Sequence, residues 1–238
     1  MQNAEFILQL AFCTLHFPMA DLLPLFPLPN VVLFPNVFLP LHIFESRYRE
    51  MTADAIATDR LIGMVLLRPG WERDYEGRPP IYRVGCIGVI THYEKLPDGE
   101  YNLVLRGLDR FQIVEEDQQR SYRRAVFEPL PEQPPGEDDR AVIRRQRSKL
   151  EALLSPAAQK AAGLEARRGT KSSDRTMPAS MSDEDTINAL AQYLDFEPLE
   201  KQALLEKASL RTRAESLVEL LEMKILMART PGTSNVAH

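Results

Sequence analysis

Residues 22–49 read LLPLFPLPNVVLFPNVFLPLHIFESRYR. Five prolines, Pro24, Pro27, Pro29, Pro35 and Pro40, stand among large apolar side chains. Proline fixes its own φ and lacks the N–H that a helix interior or a central ladder needs, so the stretch is neither one long helix nor a central strand. It is also far too apolar to be a linker. Two short strands, over 22–25 and 37–43, joined by a buried and kinked loop, satisfy both limits. At Glu45 the pattern changes to a charged, helical period. A helix is expected over 45–58, with Tyr48, Met51 and Ala55 on its apolar face. Phe26, Phe34, Phe38 and Phe44 are expected in the core.

Working outward, residues 61–67 (LIGMVLL) form a continuous apolar run suited to a buried strand. Residues 68–80 make a charged loop with glycine and proline and the single tryptophan, Trp71. A long strand follows over 81–94, where Gly85 and Gly88 suggest a bulge or a close backbone approach. Leu96-Pro97-Asp98-Gly99 reads as a hairpin turn. Tyr101, Leu103 and Leu105 then alternate with more polar neighbours; Gly107 is expected to break this strand, with Phe111 and Ile113 continuing in a new direction. A last strand is expected over 122–127. Six short strands and one early helix give an α+β class, with a curled antiparallel sheet or pseudo-barrel rather than a parallel βαβ sheet.

Residues 128–139 (EPLPEQPPGEDD) read as a linker with little to bury. The pattern beyond is helical: 139–154, a further turn or two over 157–164, a helix after Ser182, another over 198–207, and a last one from Thr212. Thr212 and Glu215 have the spacing of a capping box. Together these suggest a small helical bundle. The organisation expected is an N-terminal extension (1–20), a β-rich lobe (21–130), a helical lobe (131–229) with a flexible polar stretch (165–182), and a tail (230–238). The extension is apolar but lacks a basic start and a small-x-small cleavage site, and Met19 is expected to be the true start.

The opening stretch resembles the start of the N-terminal substrate-binding domain of Lon proteases, and more closely the bacterial stand-alone proteins built from that domain. GCIGVI at 85–90, LVLRGLDRFQIVEE at 103–116 and LDFEPLEKQALLE at 194–206 continue the resemblance in order over about 22–227. Asn36 stands where the family usually has glycine, and Ser46 where it has proline. Asn tolerates φ > 0 better than other residues with a Cβ, and a first helical turn accepts either residue at 46. The resemblance implies a PUA-like pseudo-barrel and recognition of unfolded or tagged polypeptides.

Composition excludes several alternatives. The chain has 238 residues, 44% apolar and 26% charged, with a net charge of −5. That balance suits a soluble globular protein and gives no global basic field for nucleic acid. The basic run over 140–149 reads as a solvated helix face. Two distant cysteines, Cys13 and Cys86, imply no disulfide framework and favour the cytoplasm. No apolar run reaches the about 18 residues that a membrane span needs. His16, His42, His92 and His238 are too scattered for a metal site, and no cofactor is implied.

No GxxxxGK[ST] loop and no G-x-S-x-G elbow occurs. The ATPase and protease modules of full-length Lon have no counterpart in the sequence, so no enzyme activity is expected. Glu45 with Arg47, and Asp109 with Arg110, are expected as structural ion pairs. Arg47 and Tyr48 are expected to hold the helix against the sheet. What remains is binding, in a groove between the curved sheet and the helical lobe, by strand addition or by burial of apolar side chains. The candidate contacts are Trp71 and Tyr75, with Arg68 and Arg73 nearby. The partners expected are unfolded or extended polypeptides, with a protease or chaperone behind them. A small-molecule binder or an uncharacterised hydrolase is the alternative, with a pocket near Arg68, His92 or Glu94.

Overall fold

Alternation along a strand buried at every position sets the architecture. In the computed structural model, which describes residues 22–75, 77–155 and 181–229, all six residues of the strand at Leu61–Leu66 are buried. Ile62, Met64 and Leu66 join a large core shared with the helices. Leu61 and Val65 join a second, smaller core with Leu23, Leu25, Ile87 and Phe111. An apolar run with no polar alternation is what a strand covered on both faces requires. The expectations for the N-terminal extension with Met19, Cys13 and His16, for the 157–164 turns, for nearly all of 165–182 and for the tail with His238 lie outside the described residues.

The elements run β1 (Leu23–Leu28), β2 (Phe38–Ile43), α1 (Ser46–Ala57), β3 (Leu61–Leu66), a 3₁₀ turn (Trp71–Asp74), β4 (Val84–Lys95), β5 (Tyr101–Asp117), β6 (Arg123–Leu130), α2 (Glu137–Leu153), α3 (Asp183–Tyr193), α4 (Pro198–Leu205) and α5 (Leu210–Arg229). The sheet order is β2-β5-β4-β3-β1-β6, and β6 returns to pair with β5. The sheet thus curls into a partial ring with β2 appended outside it. The α+β class and the curled sheet agree with the sequence reading. One pair departs from the antiparallel rule: β1 and β3 run parallel, Leu25 opposite Gly63. Between them the chain passes through β2 and α1, the long crossover that parallel neighbours need.

Gly107 does not break β5. The strand runs unbroken for 17 residues and exchanges partners there, pairing with β2 over 101–106 and with β6 over 110–117. A Cβ at Gly107 would lie 2.1 Å from the Phe34 carbonyl oxygen. The Gly107 N–H donates to Val37 O, and its carbonyl accepts from Asn36 N–H. The glycine answers a close approach, and the turn opposite it holds Asn36 at φ 62°, as its type allows.

Four further expectations are corrected. Phe26 and Phe34 are buried, but Phe38 and Phe44 are 50% and 59% exposed. The proline-rich 128–139 stretch is no free linker, because β6 continues through Pro129 to Leu130 and Glu132 is buried against two arginines. Arg110 pairs with that Glu132, at 3.7 Å, rather than with Asp109. The last helix begins at Leu210, where the Ser209 hydroxyl accepts from the Thr212 N–H and the Thr212 hydroxyl from the Ser209 N–H. The reciprocal cap therefore sits three residues earlier than expected.

The helices are seated on the sheet by side chains that satisfy its loop and strand-end backbone. Gln192 of α3 accepts the Phe34 N–H at 3.1 Å. Gln202 of α4 donates to Val84 O at 3.0 Å. Arg110 of β5 donates to Leu205 O and Lys207 O. Buried backbone groups must be paired, and these long-range bonds do it.

Candidate functional site

The start of α1 converges with two loops at one end of the ring. Glu45 is the residue before the helix, and its side chain makes no cap bond. It turns instead to Arg47, at 3.0 Å, and accepts the Tyr75 hydroxyl at 2.5 Å. Arg47 also donates to Tyr75 O at 3.2 Å, and its guanidinium lies 4.7 Å from the Tyr48 ring centre and 5.2 Å from that of Tyr75. The expected Glu45–Arg47 pair is present. It clamps the 3₁₀ loop to the helix.

Beneath this clamp lies a recess of about 190 Å³, whose lining includes Arg47, Tyr48, Tyr75, Arg78, Tyr122 and Arg123. Arg123 is nearly buried; it donates to Glu116 at 3.1 Å and to Pro79 O at 2.6 Å. Arg78 spends both arms on main-chain carbonyls, Asp117 O and Arg120 O, each at 3.1 Å. Burial pushes the Tyr48 and Tyr122 hydroxyls up to about 12, so both stay neutral donors. Burial also lowers the Arg123 pKa, and the Arg78 and Arg47 charges add to this. A shallower depression of about 480 Å³ shares Arg47 and Tyr75 with the recess and adds Phe44, Glu45 and Ser46.

Of the four residues singled out from sequence, Tyr75 lines both hollows. Trp71 is half-buried, packs on the second core, and meets Tyr75 edge-on at 5.4 Å between ring centres. Arg73 is exposed in the same turn. Arg68 points elsewhere, over the Tyr82 ring at 5.3 Å. Sequence reasoning missed Arg78, Arg123, Tyr122 and the exposed Phe44. Arg78 sits in the loop already suspected, but Tyr122 and Arg123 come from the β5–β6 turn, which nothing in the sequence ties to residue 48. The described residues that line both hollows all fall within 27–123. The seam toward the helices, where a groove was expected, is filled around Arg110, Glu132 and Arg213.

Among the described residues, no group of three or more His, Cys, Asp or Glu is placed to hold a metal, and no helix is long and apolar enough to cross a membrane. Cys86 is fully buried, and burial drives its thiol pKa well up.

Fold and recess together define an α+β domain with a ring-like sheet, an appended helical bundle and an arginine-lined hollow. Residues 22–223 match the family described as the ATP-dependent protease La (LON) substrate-binding domain, and the chain belongs to that family. It is 29% identical over 204 residues to Lon protease 2 of Myxococcus xanthus, covering 86% of this chain and 24% of that protein. It is 33% identical over 116 residues to a Lon protease of Syntrophus aciditrophicus, covering 48% and 15%. The chain thus spans about a quarter or less of these relatives' length. Two solved structures share the fold. The N-terminal domain of Mycobacterium avium complex Lon protease has a TM-score of 0.59 at 16% identity, over 85% of this chain and 98% of that one. A Lon N-terminal domain protein from Xanthomonas campestris has 0.53 at 21%, over 84% and 98%.

Proposed function

We propose that this chain is a non-catalytic polypeptide-binding module, which holds unfolded or extended chains at the recess end of the sheet and hands them to a separate protease or chaperone. Family membership supports substrate binding. The observation that carries the location is Phe44, a phenylalanine 59% exposed at the rim of a depression continuous in residues with the recess. An exposed aromatic ring beside a polar hollow gives an unfolded chain both an apolar contact and hydrogen-bond partners. Cysteine usage supports a cytoplasmic setting. The alternative reading, a small-molecule or hydrolase site, gains no support, since Arg68, His92 and Glu94 line neither hollow.

The test is binding of a fluorescently labelled, reduced and carboxymethylated protein to the purified chain, read by anisotropy. Saturable binding in the micromolar range or tighter, without cleavage and without ATP turnover, is the result expected. Failure to bind a range of unfolded proteins, or cleavage by the purified chain, overturns it.

A further inference from the structure

Among the described residues, three guanidiniums line the recess and no carboxylate does. Two of them are matched from outside the lining, Arg47 by Glu45 and Arg123 by Glu116. Arg78 bonds only main-chain carbonyls, and among the described residues no carboxylate lies within ion-pair distance of it. The nearby acids are engaged elsewhere: Asp117 with Arg124, Glu50 and Asp54 with Arg120, Ser121 and Tyr122. A half-buried guanidinium without a counter-anion favours one arriving from solution.

A second observation is independent of charge. Tyr48 is only 5% exposed, its ring is held by Phe26 and Arg47, and its hydroxyl, on a residue that lines the recess, makes no hydrogen bond to the described residues. The groups whose charge bears on that hydroxyl are Arg47, Glu45, Tyr75 and Arg123, the residues around the two hollows. A phenol that lines the recess and spends its proton on no described residue is placed to donate to a ligand there.

The shape decides the ligand. The recess, about 190 Å³, has room for roughly one residue, and the wider depression holding Phe44 leads on from the Arg47 and Tyr75 they share. A chain end enters such a hollow end-on, whereas a mid-chain segment must bring two strands through the opening. We propose that the recess receives the terminal carboxylate of a polypeptide, with Arg78 and the Tyr48 hydroxyl as its donors and the preceding residues lying across Phe44. This rests on the polypeptide-binding reading and adds which part of the polypeptide is read.

The test uses one apolar decapeptide, labelled at its N-terminus and ending in alanine, in three forms: free acid, C-terminal amide, and amide carrying an internal glutamate. The free acid is expected to bind the full chain at least about tenfold more tightly than the amide, a difference within reach of one charge-assisted pair. Arg78→Gln is expected to abolish the difference. Tyr48→Phe, which keeps the ring and its packing, is expected to reduce it severalfold. An internal glutamate that restores the amide to the free acid's affinity overturns the end-on assignment. Equal binding of acid and amide, with the carboxymethylated protein still bound, overturns the carboxylate site and leaves the polypeptide-binding reading standing. No binding of any form, nor of that protein, brings down both.

Discussion

Glu132 lies 2.8 Å from the Nη2 atom of Arg213, and Arg213 is the bulkiest fully buried side chain among the described residues. The contact is an ion pair by distance, but neither Glu132 oxygen completes a hydrogen bond. Arg213 is steadied instead by Leu204 O and by Asn188, at 3.2 and 3.0 Å. Arg110 completes the group, its guanidinium 3.7 Å from the same carboxylate. One acid thus bridges two arginines, one from the sheet and one from α5, at the seam between ring and helices.

Removing that carboxylate leaves both buried cations without their ion-pair partner. Glu132→Gln is expected to lower stability by roughly 3–5 kcal/mol, against far less for a surface glutamate. Urea denaturation of the two variants checks it. Arg213→Met combined with Glu132→Gln is expected to cost less than the sum of the single changes, because the pair shares one interaction. Additive losses would show that the pair is not coupled.

The seam also marks where the sequence stopped being legible. β3 was readable because its apolar run is local, and α3 because Ile187, Leu190 and Ala191 repeat at helical spacing. Glu132 was hidden: it sits among prolines and acids whose composition says linker, and its partner is more than 80 positions away. Phe44 misled for the opposite reason. It closes a largely apolar stretch, but it falls between β2 and α1, where no alternation dictates a face, and it turns outward. The recess was half legible. Tyr75 was marked by its loop, whereas Tyr122 and Arg123 reach it through β6 pairing with β1 and β5, a register that no local pattern encodes.

Gly107 gives a backbone prediction. Its absent Cβ would press on the Phe34 carbonyl at 2.1 Å and on Pro35 at 3.2 Å, both main chain of a turn that Asn36 and Val37 tie to Gly107 by hydrogen bonds. Gly107→Ala is therefore expected to cost several kcal/mol, at the upper end of single-residue effects. Gly136, before α2, has open space around its Cβ position, and Gly136→Ser there is expected to change stability by no more than about 0.5 kcal/mol, in the favourable direction. Thermal unfolding of both variants separates a packing glycine from an incidental one.

Glu184, in the first turn of α3, supplies the pH dependence. Burial raises its pKa above the usual 4.5, and the Glu132 charge raises it further. Its folded value exceeds its unfolded value, so ionising it costs stability as pH rises. The cost is absent below about 4.5 and complete once the pH passes the folded value. Glu184→Gln is expected to raise Tm by about 1–2 °C at pH 8, on the scale of a small half-buried change. The advantage should fade as the pH falls toward 4.5. An advantage that persists at low pH would place the effect in packing rather than charge.

Phe44 lines the depression and Trp71 packs on Tyr75, which lines it too, but the two stand differently toward the core, and that difference separates binding from folding. Phe44 is 59% exposed and belongs to neither core, whereas Trp71 packs on the second core and on the Tyr75 ring. Phe44→Ser is expected to leave the unfolding midpoint nearly unchanged while weakening unfolded-chain binding by about 1–2 kcal/mol, roughly tenfold. Trp71→Ala is expected to lose stability as well, because it uncovers Tyr75 and the ring interior that both aromatics close. Parallel measurement of Tm and anisotropy on the two variants resolves the roles. If Phe44→Ser binds as tightly as the parent chain, the depression is not the contact surface, and the exposed ring belongs to some other encounter.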